Sequence, residues 1–435
     1  MNTLSVLVEG PVFVPGDAGY DTERSGFQLA GQHRPAVIVG ATSASDVRTA
    51  IRFAAARDLP IAVQATGHGL TAPAQDALLI TTHRMSGFRI DPAAGTAWIE
   101  AGVRWKAVVD AAAEHGLAPL SGSSPSVGAV SYTLGGGIGV LVRSYGLAAD
   151  HVRTLEVVTA DGEMRQVSAG SDLFWALLGG GNNFGVVTGM EIELVPVSHL
   201  FGGTLSFDAS IATEVFQAYD QWTSTVPNEI TSSAAVVPFP DLPMIPEPVR
   251  GREVAQIRIA SIADKATTER LVAPLREIGP MLMDTLDALP FTQASSIFTD
   301  PPQPHEYYGT GIFLNGLNKS AMQALLELAG KASAVVQLNH LGGAIAGSAP
   351  NAIGHRDARY VLRLVSDPGS RALLDGVFAA LAPFASGHAM NFMFGPTGAD
   401  QVRSAFAADT YKRLSALKAT YDPANLFRFN NNIIP

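Results

Sequence analysis

Two glycine-dense turns hold the residues whose types and spacing could do chemistry. Gly67-His68-Gly69 follows the apolar segment Leu59 to Val63, and Gly135-Gly136-Gly137-Ile138-Gly139 follows a second apolar stretch. Glycine tolerates positive φ and close backbone approach, so successive N–H groups can converge on an anion such as a pyrophosphate. One imidazole, that of His68, stands in the first turn. Either turn alone reads more readily as a tight turn, and a single histidine there as structural. Together they predict a site for a phosphate-bearing cofactor. Other cofactor and metal patterns are missing. There is no GxxxxGK[ST] loop, and the windows opening at Gly135 and Gly179 put Val140 and Phe184 where GxGxxG needs glycine. There is no HExxH, and the ten histidines show no metal-ligand spacing, so no metal is expected. The absence of cysteine excludes disulfides, iron–sulfur clusters, thiolate metal sites and cysteine nucleophiles.

The elements that must position these turns come from hydrophobic periodicity. Ala36 to Val39 and Leu59 to Val63 predict parallel strands joined by a helix that starts at Ser43 and Asp46, with Val47, Ala50, Ile51 and Ala54 on one face. That unit delivers His68 at the carboxyl end of a strand, where α/β sheets place ligands. Hairpins are expected at Asp91-Pro92 and Asp161-Gly162, helices before Gly116 and from Ser171-Asp172, and an alternating strand from Val186 to Val195. Beyond Pro196 the texture changes. Strands are expected at Val254–Ala260, Ala334–Leu341, Tyr360–Val365 and Met390–Phe394, with helices near Thr268–Arg276, Met322–Leu328 and Leu373–Leu381. A Pro-rich loop from Val237 to Val249 and a last helix, Asp409–Thr420, complete the pattern.

With 435 residues, 47% hydrophobic and 16% charged, the chain is a globular protein of two or three domains. Its net charge of −10 argues against nucleic-acid or anionic-membrane partners. The first residues lack a basic segment followed by an apolar one, and no run of about 18 apolar residues occurs. The expected location is the cytoplasm.

Several segments resemble one flavoprotein family in order and at its spacing. They are Val63-Gln64-Ala65-Thr66-Gly67-His68-Gly69; Gly122-Ser123-Ser124-Pro125-Ser126-Val127-Gly128 with Tyr132-Thr133-Leu134-Gly135-Gly136-Gly137; Gly146-Leu147-Ala148-Ala149-Asp150; Asp172-Leu173-Phe174-Trp175-Ala176-Leu177 with Asn183-Phe184-Gly185-Val186-Val187; and Tyr421-Asp422-Pro423-Ala424-Asn425-Leu426-Phe427-Arg428 with Asn430 and Asn432. This set resembles the berberine bridge enzyme-like branch of the vanillyl-alcohol oxidase, or PCMH-type, FAD-binding superfamily. The resemblance implies a two-domain α+β fold: an FAD-binding domain over 1–197, a substrate domain over 198–398 built on a mainly antiparallel sheet covered by helices, and a segment 399–435 returning to the first. It implies FAD, covalently linked through His68. The implied cofactor-binding residues are Ala65, Thr66, Gly67, His68, Gly69, Ser123, Ser124, Val127, Gly128, Ser131, Tyr132, Gly136, Gly137, Gly185, Val187, Asn430 and Asn432. Three positions depart from the family. Ser124 replaces a cysteine that often makes a second flavin bond, Gln64 replaces a common arginine, and Tyr132 replaces a histidine near the flavin. Val127 stands where a small residue lets oxygen reach the flavin, which implies an oxidase producing H2O2.

The family's usual Tyr or Glu base is missing from Gly387-His388-Ala389-Met390-Asn391-Phe392-Met393-Phe394. The titratable candidates are therefore His340, which precedes Gly342-Gly343, then His388, with Tyr132 as a hydrogen-bond donor and Tyr360 and Tyr411 behind them. Leu338, Leu341, Met390, Phe392 and Phe394 point to a small apolar or aromatic metabolite rather than an oligosaccharide. A flavin dehydrogenase or oxidative cyclase of specialised metabolism, or a redox-silent binding protein, remain alternatives; the sequence leaves the oligomeric state open.

Overall fold

The computed structural model describes residues 4–435; residues 1–3, the start of the expected FAD-binding region, lie outside the described residues. Three sheets organise the chain. In the first, Val37–Gly40 and Ile61–Gln64 each pair in parallel with Leu78–Thr81, and Val12–Phe13 adds an antiparallel edge. Val37–Gly40 and Leu78–Thr81 are buried at every position, as strands covered on both faces must be. Helix Ala44–Ala55 is capped by Ser43, which accepts from the Asp46 N–H, and buries Val47, Ala50, Ile51 and Ala54. The expected parallel unit thus exists with one correction. Leu78–Thr81 stands between its two strands, and a four-residue apolar run carries no periodicity from which to read it.

The second sheet is antiparallel, in the order Phe88–Asp91, Thr96–Glu100, Val186–Glu193, Val152–Val158, Met164–Ser168. Its core takes Trp105 and Val108 from helix Trp105–Ala113, Leu177 from helix Asp172–Gly180, and Leu414 and Ile433 from the C-terminal segment. That segment is fastened by Lys418. Its fully buried ammonium pairs with Asp422 at 2.7 Å and donates to the carbonyls of Asn183 and Phe427, so all three of its protons have acceptors.

The third sheet has nine strands between His199 and His388, all antiparallel. Its centre runs His199–Asp208, Glu253–Ser261, Ile230–Pro238, Val335–His340, Tyr360–Ser366, Tyr308–Leu314. Alternation along each strand sends Leu205, Ile257, Ala234, Leu338, Leu362 and Ile312 into a core shared with helices Ala212–Thr223, Lys265–Arg276, Lys319–Lys331 and Arg371–Leu381. The opposite face meets the first half of the chain, where Val361 and Phe313 pack with Val142 and Leu147. The strand expected at Met390–Phe394 is corrected. The strand is Ala385–His388, and Met390–Phe392 is a short helical turn. The reason is local: Asn391 Nδ2 donates to the Tyr132 carbonyl at 3.0 Å and draws the chain off the sheet onto the second glycine turn. Among the described residues no helix is long and apolar enough to cross a membrane.

Candidate active site

His68 leaves the end of Ile61–Gln64 in a turn that only glycine can make. Gly67 has φ +72°, and a Cβ there would stand 2.5 Å from Gly26 Cα. Gln64 supports the turn from beneath, its amide donating to the carbonyls of Arg24 and Ser25. The imidazole is held on every side. Nδ1 lies 2.8 Å from Thr66 Oγ1, and Nε2 lies 3.1 Å from Ser126 Oγ, which in turn lies 2.9 Å from Ser124 Oγ. The ring stacks on Phe27 at 3.9 Å and 11°, and Tyr307 donates its hydroxyl hydrogen to the His68 carbonyl at 2.6 Å. Burial, aided by the charge of Arg104 and opposed by Asp300, lowers the His68 pKa to about 4. The ring is neutral at pH 7.

The residues here fit FAD by their unspent hydrogen-bonding capacity. The backbone N–H groups of Ala65 through Leu70, and those of Gly122, Ser123, Ser124 and Ser126, donate to no protein acceptor. Most of these residues are half-buried and Gly69 is exposed, so the two runs of N–H groups are open to a ligand and can converge on phosphate oxygens. A Cβ at Gly69 would meet nothing within 4 Å, so the turn opens on free space. The buried Tyr132 hydroxyl and the side-chain oxygens of Asn430 and Asn432 are likewise without partners. The two turns touch: a Cβ at Gly128 would lie 3.6 Å from both Ala65 and Thr66.

The structure gathers Ala65, Thr66, Gly67, His68, Gly69, Ser123, Ser124 and Gly128 around this cradle. Ser123 donates to Asp300, Ser131 donates to the Gly128 carbonyl, and Val127 accepts from the Trp105 N–H. Tyr132 packs edge-on against Trp105. Its ring is the reason for Gly137, which has φ +81° and where a Cβ would come within 2.7 Å of Tyr132. Gly136 adjoins it, a Cβ there facing Ile353. Asn430 and Asn432 flank Asn431, whose carbonyl accepts from the amide of Asn183, and Gly185 packs against Val157, Val158 and Thr159. The Val187 side chain points into the core.

The ceiling is a face of the nine-stranded sheet. Residues directly paired across strands point to the same side. Two adjacent rows on the cofactor side read Ser206–Gln256–Ala235–Gln337–Arg363 and Thr204–Arg258–Ser233–Asn339–Val361. Nearly all are polar and most are buried. Arg258 donates to Gln256 Oε1 and Gln337 Oε1. Asp300 faces them from the segment after Phe298. It is the carboxylate whose charge is felt by His68, Arg258 and Arg363 alike.

Two expected catalytic groups are not brought here. His340 continues the helix-covered face of its strand, pairing with Tyr360, the two rings tilted at 45° with centroids 5.8 Å apart. Burial there lowers its pKa to about 3. His388 turns its Nδ1 to Ser404 Oγ at 2.7 Å, away from His68. Tyr360 bonds Thr223 and Asp220 on the helix side, and Tyr411 packs on Phe406. Leu338 also lies on the helix side, so the apolar lining expected from it is not at the site. Arg258, Arg363, Asp300, Phe27 and Tyr307 were not among the expected residues. The alternation of Gln256 and Arg258 with Ile257 and Ile259 was the available signal for the first of them.

The comparisons with known proteins agree with this architecture. Residues 35–168 match the model of the FAD binding domain, and residues 390–434 match the berberine and berberine-like model. The chain is 26% identical over 467 residues to (R)-6-hydroxynicotine oxidase of Paenarthrobacter nicotinovorans, covering 98% of this chain and 97% of that protein. It is 28% identical to an uncharacterized FAD-linked oxidoreductase of Bacillus subtilis (strain 168), covering 98% and 97%. The crystal structure of 6-hydroxy-D-nicotine oxidase from Arthrobacter nicotinovorans superposes with a TM-score of 0.83 at 27% identity, covering 98% of each chain. A chitooligosaccharide oxidase shares the fold, with a TM-score of 0.86 at 22% identity. With the unpaired amides of Ala65–Leu70 and Gly122–Ser126 open toward a phosphate-bearing cofactor, the chain carries FAD binding domain and berberine-like matches and is similar along its whole length to FAD-linked oxidoreductases.

Proposed function

We propose that the protein is an oxidase that carries FAD on His68 and oxidises a small molecule by two electrons, using O2 and releasing H2O2. The observation that supports this best is the state of His68: a neutral imidazole fixed by Phe27, Thr66 and Ser126 at the mouth of an unpaired amide cradle. Bound FAD would supply the redox chemistry, accepting the hydride and returning electrons to O2.

The chain's own residues do the rest. Backbone amides of Ala65–Leu70 and of Gly122, Ser123, Ser124 and Ser126 would hold the pyrophosphate. A neutral nitrogen with an available lone pair is what bonding to the flavin's 8α carbon requires, and burial keeps His68 in that form. Ser124 has no thiol, so attachment is single. Asp300, fixed by Ser123, is the carboxylate placed to accept a proton from the substrate, a task that needs a base within hydrogen-bond reach. The likeness to 6-hydroxynicotine oxidases supports the oxidase chemistry and leaves the substrate open.

Acid precipitation tests the attachment: the pellet should keep the flavin, and a colourless pellet over a yellow supernatant would reject it. Stopped-flow mixing of the reduced protein with air should reoxidise the flavin within seconds; reoxidation over minutes would make it a dehydrogenase instead.

A further inference from the structure

We propose that Arg258 and Arg363 form a binding site for an anionic group of the substrate, so that the molecule oxidised is an organic acid with an aromatic or apolar body. The proposal rests on the oxidase reading above and names its substrate class.

The argument begins with the cost of buried charge. A guanidinium stays protonated in proteins, and removing one from water is strongly unfavourable unless an anion or several acceptors replace the lost solvation. Other arginines in this protein obey that rule. Arg84 makes two hydrogen bonds to Glu23, Arg356 pairs with Asp150, and the buried Arg143, whose Nε has no partner, donates through its terminal nitrogens to three neutral oxygens, the carbonyls of Pro227 and Ile230 and Asn228 Oδ1. Arg363 departs from it. The residue is half-buried, its guanidinium makes no hydrogen bond and no ion pair among the described residues, its Nε is buried without a partner, and its close contact is the Phe392 ring at 4.3 Å. Arg258 is 3% exposed and has only neutral acceptors, Gln256 and Gln337. It lies 5.7 Å from the Phe298 ring.

Both arginines stand on the cofactor-facing side of adjacent strand rows, with Gln337 directly opposite Arg363 and Ser233 directly opposite Arg258. On that same patch Gln337 Nε2, Asn339 Oδ1 and Ser233 Oγ are also buried without partners. The charges do not cancel. Two guanidinium groups face one carboxylate, Asp300, which is hydrogen-bonded to Ser123 and forms no ion pair with either. One positive charge, a set of unspent donors and two aromatic rings remain for a ligand. A carboxylate matches the planar fork of an arginine, and Phe298 and Phe392 suit an apolar body beside it. A neutral sugar would leave the charge uncompensated.

The test uses the flavin-loaded protein. Flavin content, read from visible absorption, checks the oxidase reading by itself. Calorimetric titration then compares benzoate with benzamide and phenylacetate with phenylacetamide at neutral pH. Each acid should bind at least about tenfold tighter than its amide, as charge-assisted hydrogen bonds require. Arg363→Gln and Arg258→Gln should each erase that preference while flavin content holds, and Arg363→Lys should restore part of it. Equal binding of acid and amide by the unaltered protein, or no binding by either pair, overturns the proposal without reference to any variant. So does an Arg363→Gln protein that keeps the preference but forms the flavin–sulfite adduct more weakly, because the arginine would then serve the flavin. A protein that prefers acids yet holds no flavin would keep the anion site and reject the oxidase reading.

Discussion

The floor of the site is backbone: Ala65 to Leu70, and Gly122, Ser123, Ser124 and Ser126, present N–H groups that nothing among the described residues accepts, around one imidazole. The ceiling is side chains, drawn one or two at a time from strands as far apart in sequence as Gln256 and Arg363. A floor of amides suits a dinucleotide's phosphates and works without any particular side chain. A ceiling of side chains can be rewritten strand by strand while the sheet's other face keeps its aliphatic core. The contrast teaches where generality and specificity would reside: under the proposed function, conformation binds the cofactor and composition selects the substrate.

Breaking the floor should have the largest effects. His68→Ala should remove all acid-stable flavin, measured in the precipitated pellet. Gly67→Ala must hold φ near +72° with its Cβ against Gly26, so it should lose at least about 2 kcal/mol of stability and most of its flavin, read by thermal melting and absorbance. The two faces of the ceiling sheet can then be set against each other. Leu362→Ala, on the helix side, should cost about 2–5 kcal/mol in chemical denaturation. Arg363→Gln, on the cofactor side, should leave the denaturation midpoint unchanged or raised, because it removes a half-buried charge that makes no hydrogen bond or ion pair among the described residues. Equal losses on both faces would end the distinction drawn here.

A smaller effect comes from pH. Burial lowers His33 and His68 from 6.5 to about 4 in the folded protein, and His340 to about 3. Between those values and 6.5 the unfolded chain binds more protons than the folded one, so stability rises with pH through that window and falls as pH drops from 6.5 toward 4. Melting temperatures across this range should decline accordingly; a flat profile would contradict neutral buried imidazoles. Smallest of all, Tyr132→Phe removes a hydroxyl that has no partner and should change stability by no more than about 1 kcal/mol.

The same contrast explains what could be read from the chain alone. Gly67, His68, Ser124 and Tyr132 lie in short contiguous motifs, and the parallel unit that carries Gly67 and His68 has a local hydrophobic period. Both were therefore legible. Leu78–Thr81 was not, since four buried residues carry no period. Arg258 and Arg363 were invisible as a pair because their meeting depends on the register of four strands, which no local pattern sets. His340 misled for the same reason. The Gly-Gly after it suggested a cavity, but one residue of strand alternation decides the face, and it falls on the helix side.

Denaturing intact-mass spectrometry of the purified protein asks the central question most directly. The account predicts a chain heavier by one FAD, the increment mapping to the peptide that contains His68 and vanishing in His68→Ala. A purified chain at its bare sequence mass, or an FAD increment mapped to any other residue, would contradict it.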